Sequence, residues 1–260
     1  MKQIEVAVLD RHDDPAQLMM FLAKLTQRGH KITCMDDLKE LLNKSANPKS
    51  ESVARVAALP HGSIKRFTPI TVAIVGASRR FLAQARTHQV GFNYVSASLQ
   101  YSDYSGKAQF VVPYNLLKAE AEGKSGLVDL YLKSCEASMD DYAVIAKEVD
   151  NDTAGYAAPQ GLRNILIMQA NHQAWSYFIM LRGCNRNTVE TQYVTLRIWD
   201  ELLKTPYGQE MFKMAGPNCL YGACREGSFS CGDPLGYINV DSTDNIPRRI
   251  IEERWPLLNR

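Results

Sequence analysis

The chain has 260 residues, 45% of them hydrophobic and 22% charged, with a formal net charge of +2. That is enough material for one large domain or two small ones around a packed core. The near-zero charge supplies no long-range field for nucleic acid or acidic membranes, so any anion site must be built locally from arginines and backbone amides.

Residues 5–9 alternate as a strand, and Asp14-Pro15 then opens an amphipathic helix through Leu25, with an N-cap aspartate followed by proline. A second helix is expected from Asp36 and Asp37 to about Lys44, a polar loop over 45–52, and a short helix over 53–59 that delivers Pro60-His61. Residues 70–75 have the β-branched density of a buried strand, and 78–86 read as helix with Phe81, Leu82 and Ala85 on one side. The run THQVGFNYVSASLQY at 87–101 sets His88, Ser96, Ser98 and Gln100 close together. It suits an oxygen-rich ligand such as a nucleotide, and equally a strand and turn with solvated polar residues.

Apolar residues at Val128, Tyr131, Leu132, Cys135, Met139, Tyr142 and Ile145 predict a long helix over 127–149 packed on one face. After the interruption at 155–161, an apolar and aromatic stretch reads as strand or buried helix up to Leu181 and Arg182. Asn187, with Glu190 three residues on, resembles a capping box for a helix carrying Tyr193, Leu196, Trp199 and Leu203. Neither GxGxxG nor GxxxxGK[ST] occurs, which argues against a Rossmann or P-loop module and for an α+β domain. No apolar run spans a bilayer and MKQIEVAVLD lacks a signal-peptide layout, so a cytoplasmic protein with no membrane partner is expected. Most of the six cysteines should then be reduced thiols. Cys184, Cys219, Cys224 and Cys231 leave open a metal site or redox bridge, although no metal is assigned.

At residues 87–102 the sequence resembles the flavin-dependent thymidylate synthases, whose signature runs RHRxxSxNExSxRY. THQVGFNYVSASLQYS aligns with one extra residue, pairing His88, Ser98 and Tyr101 with the family's histidine, second serine and tyrosine. Further blocks follow the family order: PHGSIKRFT at 60–68, SRRFLAQ at 78–84, AGYAAPQGLRNILIMQAN, and LRGCNRNTVETQ at 181–192, similar to LRCCNRAQWEIR. The segment from AGPNC to SCG resembles one branch of the family.

The resemblance implies a thymidylate-synthase-like α+β fold with a central mixed or antiparallel sheet and long flanking helices, one domain over 1–260 carrying a Cys/Gly-rich extension at 215–260. It implies a homotetramer with sites between subunits, FAD as cofactor, NADPH and methylenetetrahydrofolate as co-substrates, and dUMP methylated to dTMP. Carried onto this chain, Ser63, His88, Asn171, Leu181 and Arg186 would contact FAD. Gln84, Ser98, Gln100 and Arg182 would bind the nucleotide, with Arg182, Ser98 and His61 catalytic; a guanidinium at Arg182 would donate to a uracil carbonyl. Read without the resemblance, His61 is a surface residue, Gln84 and Asn171 are ordinary helix positions, and Arg182 pairs with a carboxylate such as Glu190.

The sequence also departs from the family. Thr87, Gln89 and Gln100 stand where the signature has arginine, Gly155 where another arginine grips the nucleotide phosphate, and Arg66 where many members have glutamate. Candidate replacements are Arg79, Arg80, Arg86, Lys107 and Arg163. These departures admit a methylase of another pyrimidine nucleotide, or an idle flavin- or nucleotide-binding homologue, as alternatives.

Overall fold

The computed structural model describes residues 4–233, 235 and 245–258. Its elements in chain order are strand β1 (Glu5–Arg11), helices α1 (Pro15–Arg28), α2 (Met35–Asn43) and α3 (Ser50–Ala58), β2 (Pro69–Ser78), α4 (Arg79–Ala85) and β3 (Phe92–Ser96). There follow α5 (Tyr114–Ala121), α6 (Leu127–Glu148), α7 (Asn151–Ala154), β4 (Arg163–Asn171), α8 (His172–Arg182), α9 (Val189–Leu203), α10 (Gly208–Phe212) and α11 (Ile246–Arg254).

The four strands form one antiparallel sheet in the order β1-β2-β4-β3. Val72, Ile74, Leu166, Met168, Ala170 and Phe92 turn one face of it onto a buried layer that includes Trp175, Phe178, Val194, Ile198 and Trp199. The indole N–H groups in this layer are satisfied, Trp175 donating to the Ile70 carbonyl (3.0 Å) and Trp199 to that of Phe212 (2.8 Å). The opposite face leaves Val75, Val95 and Ile165 exposed, with Val75 paired to Ile165 across β2 and β4. A second, smaller cluster of Met139, Tyr142, Ala154, Ala158 and Leu162 lies under α6, with Leu99 and Tyr104 packed against it.

The stretch that reads as strand or buried helix is both. β4 ends at Asn171, whose side chain accepts from the Ala174 N–H (3.0 Å) as N-cap of α8, so strand passes into helix without a loop. β2 is longer than the buried run 70–75 because Gly76 (φ +85°) carries it through a bulge to Ser78; a Cβ there would run into the Arg163 guanidinium. α3 begins at Ser50, inside the expected loop. The capping box expected at Asn187 does not form: Thr188 is the N-cap of α9, while Asn187 and Glu190 turn to other partners. α5 and α7 lack the length or stripe to be read from sequence. Of the extension, Ala215, Cys219, Leu220, Leu235, Ile246 and Ile250 belong to the main core; its residues 234, 236–244 and 259–260 lie outside the described set.

Candidate functional site

A cavity of about 890 Å³ opens between the end of α8, the turn after α4 and residues 217–226. That is near the upper end of the roughly 300–1,000 Å³ typical of small-molecule and cofactor pockets. Its wall includes His88, Asn171, Leu181, Arg182 and Arg186 from the expected set, together with Phe92 and Tyr177. Arg66, Arg182, Arg186 and Arg225 face it with Glu226 as the one carboxylate among the described lining residues. The described wall of the cavity thus carries a local excess of positive charge although the chain is almost neutral.

Arg182 is the last residue of α8, where a cation complements the helix dipole. Its Nε donates to His88 Nε2 (2.8 Å), Nη1 to Asn187 Oδ1 (3.0 Å), and Nη2 to Thr87 Oγ1 (2.7 Å) and to the Gln84 carbonyl (3.4 Å). It does not pair with Glu190. That carboxylate accepts from the backbone N–H (2.7 Å) and hydroxyl (2.5 Å) of Ser78, tying the β2–α4 junction to α9; burial pushes its pKa up against those donors.

His88 lies edge-on to Phe178, ring centroids 4.9 Å apart, and its carbonyl accepts from the Tyr94 hydroxyl (2.6 Å). Burial first, and the neighbouring Arg182 charge second, lower its pKa to about 4. At neutral pH it is therefore a neutral acceptor toward Arg182, which fits the Nε–H···Nε2 contact. Gly91 sits on the rim at φ +80°, and a Cβ there would lie 3.1 Å from Ala174 Cβ, so its absence keeps the floor beside Asn171 open.

The other expected residues fall elsewhere. His61 and Ser63 are exposed, at the entry to and within the 3₁₀ turn Gly62–Lys65, and do not line the cavity. Gln84 offers the cavity side only its carbonyl, since its Oε1 accepts from the hydroxyls of Thr188 (3.1 Å) and Thr191. Ser98 Oγ accepts from the Gln100 N–H (3.1 Å) and the Tyr101 N–H (3.3 Å) in a tight turn. Gln100 lines a separate recess with Asp150, Asn151 and Asp152, and neighbouring Leu99 packs beside Gly155. Of the expected residues, His88, Asn171, Leu181, Arg182 and Arg186 thus share the α8 cavity, Ser98 and Gln100 lie by the α6–α7 unit, and His61 and Ser63 stand apart from both on the same chain.

Of the candidate arginines, Arg79 donates to the carbonyls of Gly155 (3.3 Å) and Ala158 (2.9 Å), and Arg163 to Gly76 O (3.2 Å) and Gln109 Oε1 (2.6 Å). Arg86 reaches Ser96 Oγ (2.5 Å), Arg80 lines a smaller cavity of about 420 Å³ with Glu190, and Lys107 is exposed. Sequence reading missed Arg225, Tyr177 and Asn187. Each is singular in local pattern, and only the fold brings it to the cavity. All six cysteines are free; Cys184, Cys219 and Cys224 line the cavity, and no group of three or more His, Cys, Asp or Glu among the described residues is arranged to hold a metal. No described helix is long and apolar enough to cross a membrane.

Residues 7–205 match the family model described as thymidylate synthase complementing protein. A flavin-dependent thymidylate synthase from Geobacter sulfurreducens is 26% identical over 233 residues, covering 88% of this chain and 94% of that one. One from Clostridium tetani is 23% identical over 248 residues, covering 88% and 93%. Among solved structures, a Helicobacter pylori thymidylate synthase ThyX with FAD and dUMP superposes with a TM-score of 0.58 at 18% identity, covering 82% of this chain and 98% of that one. A UMP/dUMP methylase, PolB, from Streptomyces cacaoi bound with 5-Br dUMP superposes at 0.59 and 14%, covering 81% and 94%. The antiparallel sheet with flanking helices is the fold that the resemblance implied. The chain is a divergent member of the thymidylate synthase complementing protein family, that of the flavin-dependent thymidylate synthases.

Proposed function

We propose that the protein is a flavin-dependent methylase of a uridine nucleotide, converting dUMP to dTMP with methylenetetrahydrofolate as carbon donor and NADPH as reductant. The observation that carries this reading is the Arg182–His88 pair at the wall of an arginine-rich cavity of about 890 Å³. FAD fits that cavity: Tyr177, Phe92 and His88 offer ring surface, Arg186 and Arg225 offer charge to phosphates, and Gly91 keeps the floor clear. When bound, FAD would supply the redox chemistry and relay the one-carbon unit. The chain's own groups then bind, orient and polarise. Arg182 holds positive charge where a pyrimidine oxygen gains negative charge, and neutral His88 fixes the guanidinium plane. Asn171 and Leu181, which line the cavity, would hold the flavin there, and Ser63 and His61 would add contacts from the exposed 3₁₀ turn.

Ser98 and Gln100 complete the nucleotide site in our reading, with the Ser98–Gln100 turn contributed by a second copy, while Gln84 acts there through its carbonyl, which accepts from Arg182. The exposed apolar sheet face at Val75, Val95 and Ile165 supports an assembly of several copies, which we take to be a homotetramer. We further read the chain as one cytoplasmic domain with residues 215–260 packed on it as an extension. A second substrate reading rests on the recess at Gln100, where Asp150 and Asp152 stand near Gly155 and would repel a phosphate dianion. The phosphate grip would then differ from the family's, which admits another pyrimidine nucleotide as the substrate.

The test is turnover by purified protein with added FAD. Bleaching of the flavin by NADPH, and its recovery with dTMP formation on adding dUMP and methylenetetrahydrofolate, supports the first reading. Recovery only with another pyrimidine supports the second, and protein that does not take up FAD contradicts both.

A further inference from the structure

Arg182 is held on almost every side. Among the described residues, four of its five N–H groups have acceptors: His88 Nε2, Asn187 Oδ1, Thr87 Oγ1 and the Gln84 carbonyl. One Nη1–H is left for a ligand. Two of these acceptors come from departures in the sequence, since Thr87 stands where the signature has arginine and Asn187 where the family's LRCCNRAQWEIR has alanine. Asn187 is itself fixed. Its Nδ2 donates to the carbonyls of Leu181 (2.7 Å) and Cys184 (3.0 Å), closing the turn after α8 and setting its Oδ1 toward the guanidinium.

A free guanidinium is a fork that clamps carboxylate or phosphate through two parallel bonds. Here the Nη1 edge is half-spent and the Nη2 group is fully spent, so a bidentate grip is closed off. Arg186 and Arg225 line the same cavity as separate cations. We propose that Asn187 is a positioning residue, which with Thr87 presents a single Arg182 N–H to the cavity, so that Arg182 meets one acceptor oxygen of an uncharged ring while the ligand's anionic part goes to Arg186 and Arg225. This rests on the reading of the cavity as a site for nucleotide-type ligands, and it names which part of the ligand meets which arginine.

The test uses ¹⁵N-labelled full-length protein without ligand, so it stands whether or not the enzyme methylates any pyrimidine. Asn187→Ala and Asn187→Asp both lose the amide donors to Leu181 and Cys184, and only the aspartate keeps an acceptor for Arg182. The wild type and Asn187→Asp should show a protected Arg182 Nε–H coupled across the hydrogen bond to His88 Nε2. Asn187→Ala should lose that signal. Retention of the signal in Asn187→Ala, or its equal loss in Asn187→Asp, overturns the proposal, the latter because it assigns Asn187 only to the turn. Inorganic pyrophosphate should shift the Arg186 and Arg225 signals in the wild type and leave Arg182 Nε–H in place; the reverse pattern overturns the division of roles. In turnover, Asn187→Ala should lower kcat about tenfold with KM for the nucleotide within about threefold, the size of one charged hydrogen bond acting through orientation. An unchanged kcat in an otherwise active enzyme overturns it, whereas an inactive wild type counts against the proposed function and leaves the spectroscopic result to decide the role of Asn187.

Discussion

Three residues set the chemistry of the cavity: a guanidinium, a neutral imidazole that accepts from it, and an asparagine that holds it. Replacing Arg182 with alanine removes a charged donor, worth roughly 1.5–3 kcal/mol, so kcat/KM is expected to fall by about 10- to 100-fold with the melting temperature little changed. Steady-state kinetics beside a thermal melt checks this, and a variant with full activity rules Arg182 out. A second prediction concerns His172, which is buried at the start of α8 with Nε2 2.6 Å from the Met211 carbonyl and Nδ1 without a partner among the described residues. Burial lowers its pKa to about 4, as for His88. The folded state therefore binds fewer protons than the unfolded chain, whose histidines titrate near 6.5. Stability is fully present above about pH 6.5 and is lost as pH falls toward 4, with His172 alone contributing about 2–3 kcal/mol of that loss by pH 4.5. Urea unfolding between pH 7.5 and 4.5 measures it; a His172→Gln variant should flatten the slope, and an unchanged slope would exclude His172 as its source.

At the scale of elements, the site depends on two seams, β4 into α8 and β2 into α4. Glu190 holds the second by accepting both donors of Ser78. Glu190→Ala leaves a buried N–H unpaired and should cost about 1–3 kcal/mol by chemical denaturation, whereas Glu190→Gln, which keeps an acceptor, should cost less. Equal losses in the two variants would contradict this account of the seam. Much of this layer was legible in the sequence because single elements obey local rules. The Asp14-Pro15 start, the β-branched run at 70–75 and the apolar stripe of α6 each became the expected element. Glu190 was misread as half of a capping box because spacing cannot reveal that a carboxylate is taken by a serine 112 residues away. The strand-to-helix passage at Asn171 stayed ambiguous because a buried strand and a buried helix are equally apolar, and only the N-cap marks the change. Of the residues carried over from the resemblance, His88, Asn171, Leu181, Arg182 and Arg186 share a cavity, whereas nothing in the local sequence marks that Ser98 and Gln100 lie apart from it on the same chain.

At the scale of the whole molecule, the proposed assembly would cover the exposed apolar face of the sheet and bring the cavity of one copy to the Ser98–Gln100 turn of another. Val95→Asp puts a charge on the β3 edge of that face and should shift the protein to smaller, still folded species in sedimentation, with FAD uptake falling alongside; an unchanged sedimentation coefficient would remove this face from the interface. In the proposed function, the cavity bounded by His88, Tyr177 and Arg182 holds a flavin. A crystal structure grown with saturating FAD tests it most directly. Density for the three-ring system is expected against His88 and Tyr177, with the phosphates toward Arg186 and Arg225. Flavin density anywhere else on the protein, or an empty cavity in crystals that contain FAD, would contradict it.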